Sequence, residues 1–498
     1  MHLKNQLLKG TLILSGAGIL TRILGFIYRI FLSGTLGEVN LGIYQLIFPV
    51  YSLCFTLYGA GIQTAISQMI SHEKKEEHNN ILKSGLLVSF IIACFLSFLL
   101  YTESNFVATS LLGTKETANL LRVLALIFPF CGITSVINGY FYGINDAKIP
   151  AITQIIEQLC RVSFVCIITY LFLTGKATTT LAVAGLLVGE IISNFYNLQK
   201  LFSCIPFNEL KNGTLQLKKL ISLALPLSAN KLTIALLGSF ESVLIPVMLM
   251  KYGYSKLDAL AIFGILTGVV LPFIMFPGTL TNSLSVLLLP TIAEAAGKKQ
   301  HHIVQHTTSI TLRYSLLLGV ITGCLFLNFG IPIGAIVFKS ENAGKLLTAL
   351  SFLCPFLYAS TTLSSVINGL GKTGITFLHT ILSLAIRLLF LFVITPQHGI
   401  YGYLLGVMTS QIIICILNSM YLVRMIHLSL PIMNHFIWPS IFTSGLFYCA
   451  KIAGIWLENQ MQHPLFAYVF LIPALIILFC YLHCCKLIEW KTILPTKK

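Results

Sequence analysis

Apolar runs of about twenty residues or more recur along almost the whole chain, separated by short polar stretches. A run of that length and apolarity is what an α-helix needs to cross a bilayer. About fourteen are present, at roughly 10–34, 42–70, 82–101, 119–143, 149–173, 180–203, 218–250, 259–292, 308–338, 346–369, 375–395, 400–425, 436–457 and 465–484. The predicted fold class is an all-α polytopic membrane protein of about 14 transmembrane helices. Several runs exceed the ~20 residues a crossing needs, so tilts, kinks or extensions beyond the bilayer are expected. Lys4 and Lys9 before an apolar run resemble the start of a secretory leader. The run is too long and no small-residue cleavage site follows, so a retained first helix is expected.

The pattern also predicts a duplication. The segment Leu124–Phe130, which contains Pro129, is answered by Leu350–Phe356, which contains Pro355. Continuing at the same offset of 226, Gly143 meets Gly369 and Arg161 meets Arg387. Gly185 and Gly189 meet Gly402 and Gly406 at offset 217, while Tyr44 and Gly59 meet Phe263 and Gly278 at offset 219. Each copy holds six spans, an even number, so the copies run parallel. Parallel repeats of this kind place a substrate site between two lobes near the bilayer midplane. The expected division is 1–212 and 213–428 for the two six-helix lobes around a central cavity, with 429–498 adding two unpaired helices and a tail. The GxxxG pairs read as helix-packing contacts. Prolines 226, 246, 272 and 277 cluster at the opening of the second copy, where a bending seam would serve as a gate.

Composition narrows the function. Of 498 residues, 56% are hydrophobic and 10% charged, against about 25% charged in soluble domains. No loop is long enough for a separate soluble domain, and no GxxxxGK[ST] loop is present to bind ATP. The net charge of +16 is spread over short loops and helix interiors, with no basic–aromatic stripe, so nucleic acid is not expected as a partner. Thirteen cysteines without CxxC spacing read as buried small hydrophobes. His301, His302 and His306 follow Lys298 and Lys299 in what reads as a solvated polar loop. No metal and no other cofactor is expected, nor is an enzyme, since no nucleophile–base set appears. Lysines concentrate in alternate loops and the tail (Lys74, Lys75, Lys211, Lys299 and, at the end, Lys486, Lys491, Lys497 and Lys498). The positive-inside rule then puts both termini in the cytoplasm.

The charges inside the spans carry the chemistry. Arg22 and Arg29 lie in the first span, where each costs at least ~2.5–3.5 kcal/mol at bilayer depth. Seven residues apart, they share one helix face roughly 10 Å apart along the axis, and Gly18 and Gly25 lie on that stripe. A concave, doubly positive stripe suits a bulky anion; the alternative is that both arginines snorkel or pair with buried carboxylates. Glu157 and Arg161 stand at i and i+4 in the fifth span and read as a structural ion pair. Lys231 and Glu241, with Asn230 and Ser228 nearby, line the seventh span, and Arg387 stands in the eleventh with Ser383 one turn before it. With Glu157 and Arg161 set aside, Arg22, Arg29, Lys231 and Arg387 outnumber Glu190 and Glu241. A net positive cavity favours an anion, and the guanidinium fork suits phosphate or pyrophosphate.

Three stretches, Leu8–Leu14 (LKGTLIL), Thr21–Phe26 (TRILGF) and Leu41–Tyr44 (LGIY), resemble the polysaccharide-flippase branch of the multidrug/oligosaccharidyl-lipid/polysaccharide exporter superfamily, which also holds the peptidoglycan lipid II flippases. The fourteen-span duplicated layout extends the resemblance over the whole chain. It implies alternating access and export of an undecaprenyl-pyrophosphate-linked saccharide across the bacterial cytoplasmic membrane, for cell-wall, spore-cortex or polysaccharide synthesis. Membrane lipids and cell-wall or spore-cortex synthesis machinery are the partners it implies, and the chain is expected to act as a monomer. In lipid II members the final two helices form a lipid-tail groove, matching spans thirteen and fourteen here. Their first span carries a second arginine six residues after the first; here Tyr28 holds that place and Arg29 follows. Two other functions fit the residues less well. A cation-coupled drug antiporter would use a buried carboxylate such as Glu241 or Glu190, and a non-transporting scaffold would tolerate neutralisation of Arg22.

Overall fold

The structure, a computed structural model, describes residues 2–206, 215–298, 300–428, 433–461, 469–485 and 487, and the side chains of these except 2–15, 282–291 and 435. The expected boundaries at 212/213 and 428/429, and Lys211, Lys299, Lys486, Lys491, Lys497 and Lys498, lie outside the described residues, as do the side chains of Leu8–Leu14.

The described residues are almost entirely helical. The first span is α1 (His2–Leu36). The second is a chain of α2 (Glu38–Gln45), α3 (Ile47–Phe55), a π-turn at Thr56–Ala60, and α4 (Gly61–His72). Then come α5 (His78–Thr102), α6 (Thr117–Ala125), α7 (Phe128–Gly143), α8 (Lys148–Phe172) and α9 (Thr179–Cys204). The seventh span is α10 (Leu217–Tyr252), unbroken despite Pro226 and Pro246 inside it. The eighth is α11 (Lys256–Ile265), a second π-turn at Leu266–Val270, and α12 (Leu271–Gly297). The remainder is α13 (His301–Val337), α14 (Glu341–Ala349), α15 (Leu353–Gly369), α16 (Thr373–Val393), α17 (Ile400–Ile426), α18 (Trp438–Met461) and α19 (Leu471–Cys484). His301, His302 and His306 open α13 and do not form a loop; Val304, Thr308, Thr311 and Leu312, buried at helical spacing, carry the helix straight into the apolar span.

Eleven of these helices are long and apolar enough to cross a membrane, and two bent pairs raise the number to 13. The pairs are α6–α7, bent by 44°, and α14–α15, bent by 62°. Pro129 and Pro355, the prolines that match in sequence, stand in the first turns of α7 and α15. Proline lacks the N–H a continuing helix would use, yet fits a first turn, so it breaks the span and restarts it. The shorter apolar α19 follows. Large apolar side chains stand bare on the outer faces, among them Phe98, Leu171 and Ile472, which in water would be costly and in lipid is not.

By packing, the chain forms two compact units, Met1–Val269 with Arg387–Tyr403, and Val270–Ile386 with Leu404–Lys498. The first has a core of Ile62, Ile66, Met69, Ile81, Val136 and Phe141 from α4, α5 and α7. Within it α2 and α11 cross so closely that a Cβ on Gly42 would strike the Leu260 carbonyl, and one on Gly264 would strike the Gly42 backbone. The second unit has one core around Leu312, Leu363, Val366 and Leu422, and another where α18 and α19 bring Phe447 and Leu478 against Val320 and Phe329.

Candidate functional site

The span-one arginines meet different surroundings. Arg22 is exposed and makes no hydrogen bond or ion pair with any described residue. Gly18, half-buried, has open space where a Cβ would point, whereas a Cβ on Gly25 would meet Gln158 of α8 at 3.4 Å. Gly25 therefore sits at a helix contact, and Gly18 leaves a notch one turn below Arg22. Arg29 is half-buried, and its Nη1 donates to the carbonyl oxygen of Gly268 at 2.8 Å. Tyr28, six residues after Arg22, is buried.

Gly268 belongs to the π-turn of the eighth span. A π-turn shifts the bonding from i−4 to i−5 and leaves a carbonyl without its usual partner. The second span shows the same device with its roles exchanged. There Lys231 of the seventh span, an exposed residue, donates to the Ala60 carbonyl at 2.7 Å and to Thr64 Oγ1 at 2.8 Å. Close approach of α10 allows this, because Gly61 presents no side chain to Ser228. Thus a cation from span one reaches the π-turn of span eight, and a cation from span seven reaches that of span two. Asn230, beside Lys231, is exposed.

Two buried clusters hold the remaining charges. Glu241 of α10 is buried, its Oε2 3.2 Å from Arg387 Nη2 of α16, and its Oε1 accepts a 2.9 Å bond from Tyr403 Oη of α17. Both carboxylate oxygens are thereby engaged. In the other cluster Arg161 is ion-paired with Glu157 along α8. Next to them Glu190 of α9 is buried, and its Oε1 has no hydrogen-bond partner among the described residues. Glycines set this arrangement: a Cβ on Gly185 would strike Val165, and one on Gly189 would come 2.7 Å from the Glu157 carbonyl. Glu157, Arg161, Glu190, Tyr51, Phe48, Ile127 and Leu186 enclose a cavity of about 260 Å³. Tyr51, Tyr403 and the π-turn carbonyls were not singled out from the sequence; no local spacing marks them.

The second unit carries an apolar cavity of about 540 Å³ lined by Val320, Leu327, Phe352, Pro355, Phe356, Phe436, Ile441 and Gly445, among others. It lies where the start of span thirteen meets α13 and α15. A second, of about 490 Å³, shares Phe356 and Phe436 with it and has Arg424 in its lining.

The polysaccharide biosynthesis protein family matches residues 7–296, more than half of the chain. The chain belongs to that family. A relative, Stage V sporulation protein B of Bacillus subtilis (strain 168), is 26% identical over 449 residues, covering 87% of this chain and 86% of that protein. Lipid II flippase MurJ of the same organism is 24% identical over 422 residues, covering 78% and 77%. Among solved structures, a lipid II flippase MurJ in an inward closed conformation matches with a TM-score of 0.74 at 16% identity, over 94% of this chain and 98% of that one. At that identity the likeness establishes the fold alone: an all-α, polytopic arrangement of helices.

Proposed function

We propose that this chain is a flippase that carries a lipid-linked saccharide, attached through undecaprenyl pyrophosphate, across the bacterial cytoplasmic membrane by alternating access of two six-helix lobes. The observation that carries this reading is Arg22, a cation within an apolar span that no described residue neutralises. A bare guanidinium at that depth is costly, and a pyrophosphate offers it two oxygens in the geometry of its fork. The notch at Gly18 gives a bulky group room beside it. The apolar cavities near span thirteen suit the isoprenoid tail, as the tail groove of lipid II members implies. The names of the relatives, a sporulation protein and a lipid II flippase, support a cell-wall or spore-cortex precursor as cargo, with the synthesis machinery of that polymer as partner and the monomer as the working unit. Both termini belong on the cytoplasmic face, where the loop lysines concentrate.

The cation-antiporter alternative is weaker because one of its two carboxylates, Glu241, already holds Arg387 and Tyr403. The test is reconstitution: liposomes containing the protein should move fluorescent undecaprenyl-pyrophosphate saccharide between leaflets faster than empty liposomes. Transport of cationic dyes without lipid movement would replace the flippase reading with the antiporter one.

A further inference from the structure

The cluster of Glu157, Arg161 and Glu190 holds no bond to Arg22 or Arg29, and anion binding at Arg22 gives it no role. We propose that this cavity is a proton-binding site in which Glu190 takes up and releases one proton, coupling transport to a proton gradient. The inference rests on the transport reading and adds to it the ion that drives it.

Charge balance comes first. Glu157 and Arg161 are ion-paired and cancel, which leaves one negative charge, on Glu190. That residue is only 6% exposed, and its Oε1 has no partner among the described residues. An ionised carboxylate so placed loses its hydration without a full replacement, and a single proton removes the cost. The second acidic centre differs in this respect. Glu241 holds an arginine and a tyrosine hydroxyl, so a proton gained there would displace bonds already made.

The cavity also has space for water beside Glu190. At about 260 Å³ it has room for several waters, each occupying roughly 30 Å³ in the liquid. Waters bridging Glu190 to solvent would hand on protons without any heavy atom moving far. A metal ion fits less well, because it would lie beside the fixed guanidinium of Arg161. No group of three or more His, Cys, Asp or Glu suited to a metal exists among the described residues.

The groups around Glu190 come from several elements, among them the buried Tyr58 of the π-turn after α3, within electrostatic reach of it. Glu157 and Arg161 face it from α8, and Tyr51 from α3. On α7, Thr134 and Cys131 lie beside its carboxylate, and Cys131 Sγ is 3.5 Å from Tyr51 Oη. The α6 cation, Arg122, is held on Ser104 and Asn119, and α2 adds Tyr44 within electrostatic reach of Arg161. Arg161 is therefore the one cation in the cavity lining, and Glu157 already holds it. In the cycle, Glu190 accepts a proton from water on one face, which converts its carboxylate to the neutral acid. It returns the proton to water on the other face when the lobes exchange access. No other bond changes.

Two readouts test this on the full-length protein. The first needs no cargo: difference infrared spectroscopy across a pH titration should show one carboxylic-acid band that is absent in Glu190→Gln and shifted in Glu190→Asp. An unchanged band in Glu190→Gln overturns the proposal whether or not the protein transports. The second uses fluorescent undecaprenyl-pyrophosphate saccharide in liposomes at clamped membrane potential. An imposed pH gradient should accelerate wild-type flipping, Glu190→Gln should lose that acceleration, and Glu190→Asp should keep part of it. Acceleration retained in full by Glu190→Gln, or acceleration by a sodium gradient in place of a proton gradient, overturns the coupling. A wild type that shows the Glu190 band but moves no lipid refutes the flippase reading and leaves the proton site standing.

Discussion

Arg22 and Arg29 are the same residue type on the same helix, seven positions apart, and they do different things. Arg29 donates to a backbone carbonyl within a π-turn. Arg22 donates to nothing among the described residues. The first arrangement has the form of structure: a half-buried guanidinium meets an acceptor inside the fold. The second has the form of function, since a cation left open at membrane depth needs a partner from outside the fold. The same contrast separates the acidic clusters. Glu241 is closed by Arg387 and Tyr403, whereas Glu190 keeps one oxygen open to a cavity.

On this contrast the bonded groups govern stability and the open ones govern transport. The largest stability effect should follow Arg387→Ala, which strips a buried carboxylate of its counter-charge; removing one partner of a buried pair typically costs about 3–5 kcal/mol. Thermal unfolding in detergent would measure it, and a midpoint equal to wild type would show Glu241 to be solvated. Arg29→Ala comes next, with the loss of a charge-assisted bond worth about 1.5–3 kcal/mol and a matching rise in hydrogen exchange around the π-turn at Leu266–Val270. Stability equal to wild type there would erase the distinction between the two arginines. Tyr403→Phe removes one hydroxyl donor and should cost about 0.5–1.5 kcal/mol.

The smallest effect is set by pH. Glu73, at the loop after α4, is ion-paired with Lys219 at the start of α10, and that bond holds its carboxyl below the usual carboxylate range. Gln216 adds a bond to Glu77 of the same loop. A depressed folded-state value means the pair contributes above the ordinary carboxylate value, and the contribution fades as pH falls through the lowered one. Hydrogen exchange of residues 73–77 should therefore rise on acidification, and less so in Lys219→Ala, where the pair is already gone. An equal rise in both would assign the pH effect to other groups.

Sequence reading reached the parts of this picture that are local. Span length and apolarity mark the helices, and Pro129 and Pro355 mark the two broken ones because a proline acts on its own turn. A separation of four places Glu157 and Arg161 on one helix face, and the structure pairs them. The Glu241–Arg387–Tyr403 cluster joins three different helices, so no spacing announces it. The π-turns at Thr56–Ala60 and Leu266–Val270 carry no proline or charge of their own, and the destinations of Lys231 and Arg29 were hidden with them. Composition could count the cations of the spans, but only geometry separates those such as Arg29 and Arg387, bonded within the fold, from Arg22, which is left open among the described residues.

That separation is tested most directly by flipping of fluorescent undecaprenyl-pyrophosphate saccharide in liposomes with Arg22 altered. Arg22→Ala should fold and insert as wild type does, with an unchanged unfolding midpoint, and should move no lipid. Arg22→Lys should recover part of the rate, because an ammonium supplies the charge without the fork. Normal flipping by Arg22→Ala would contradict the account, for the open cation would then have no part in carrying the anion.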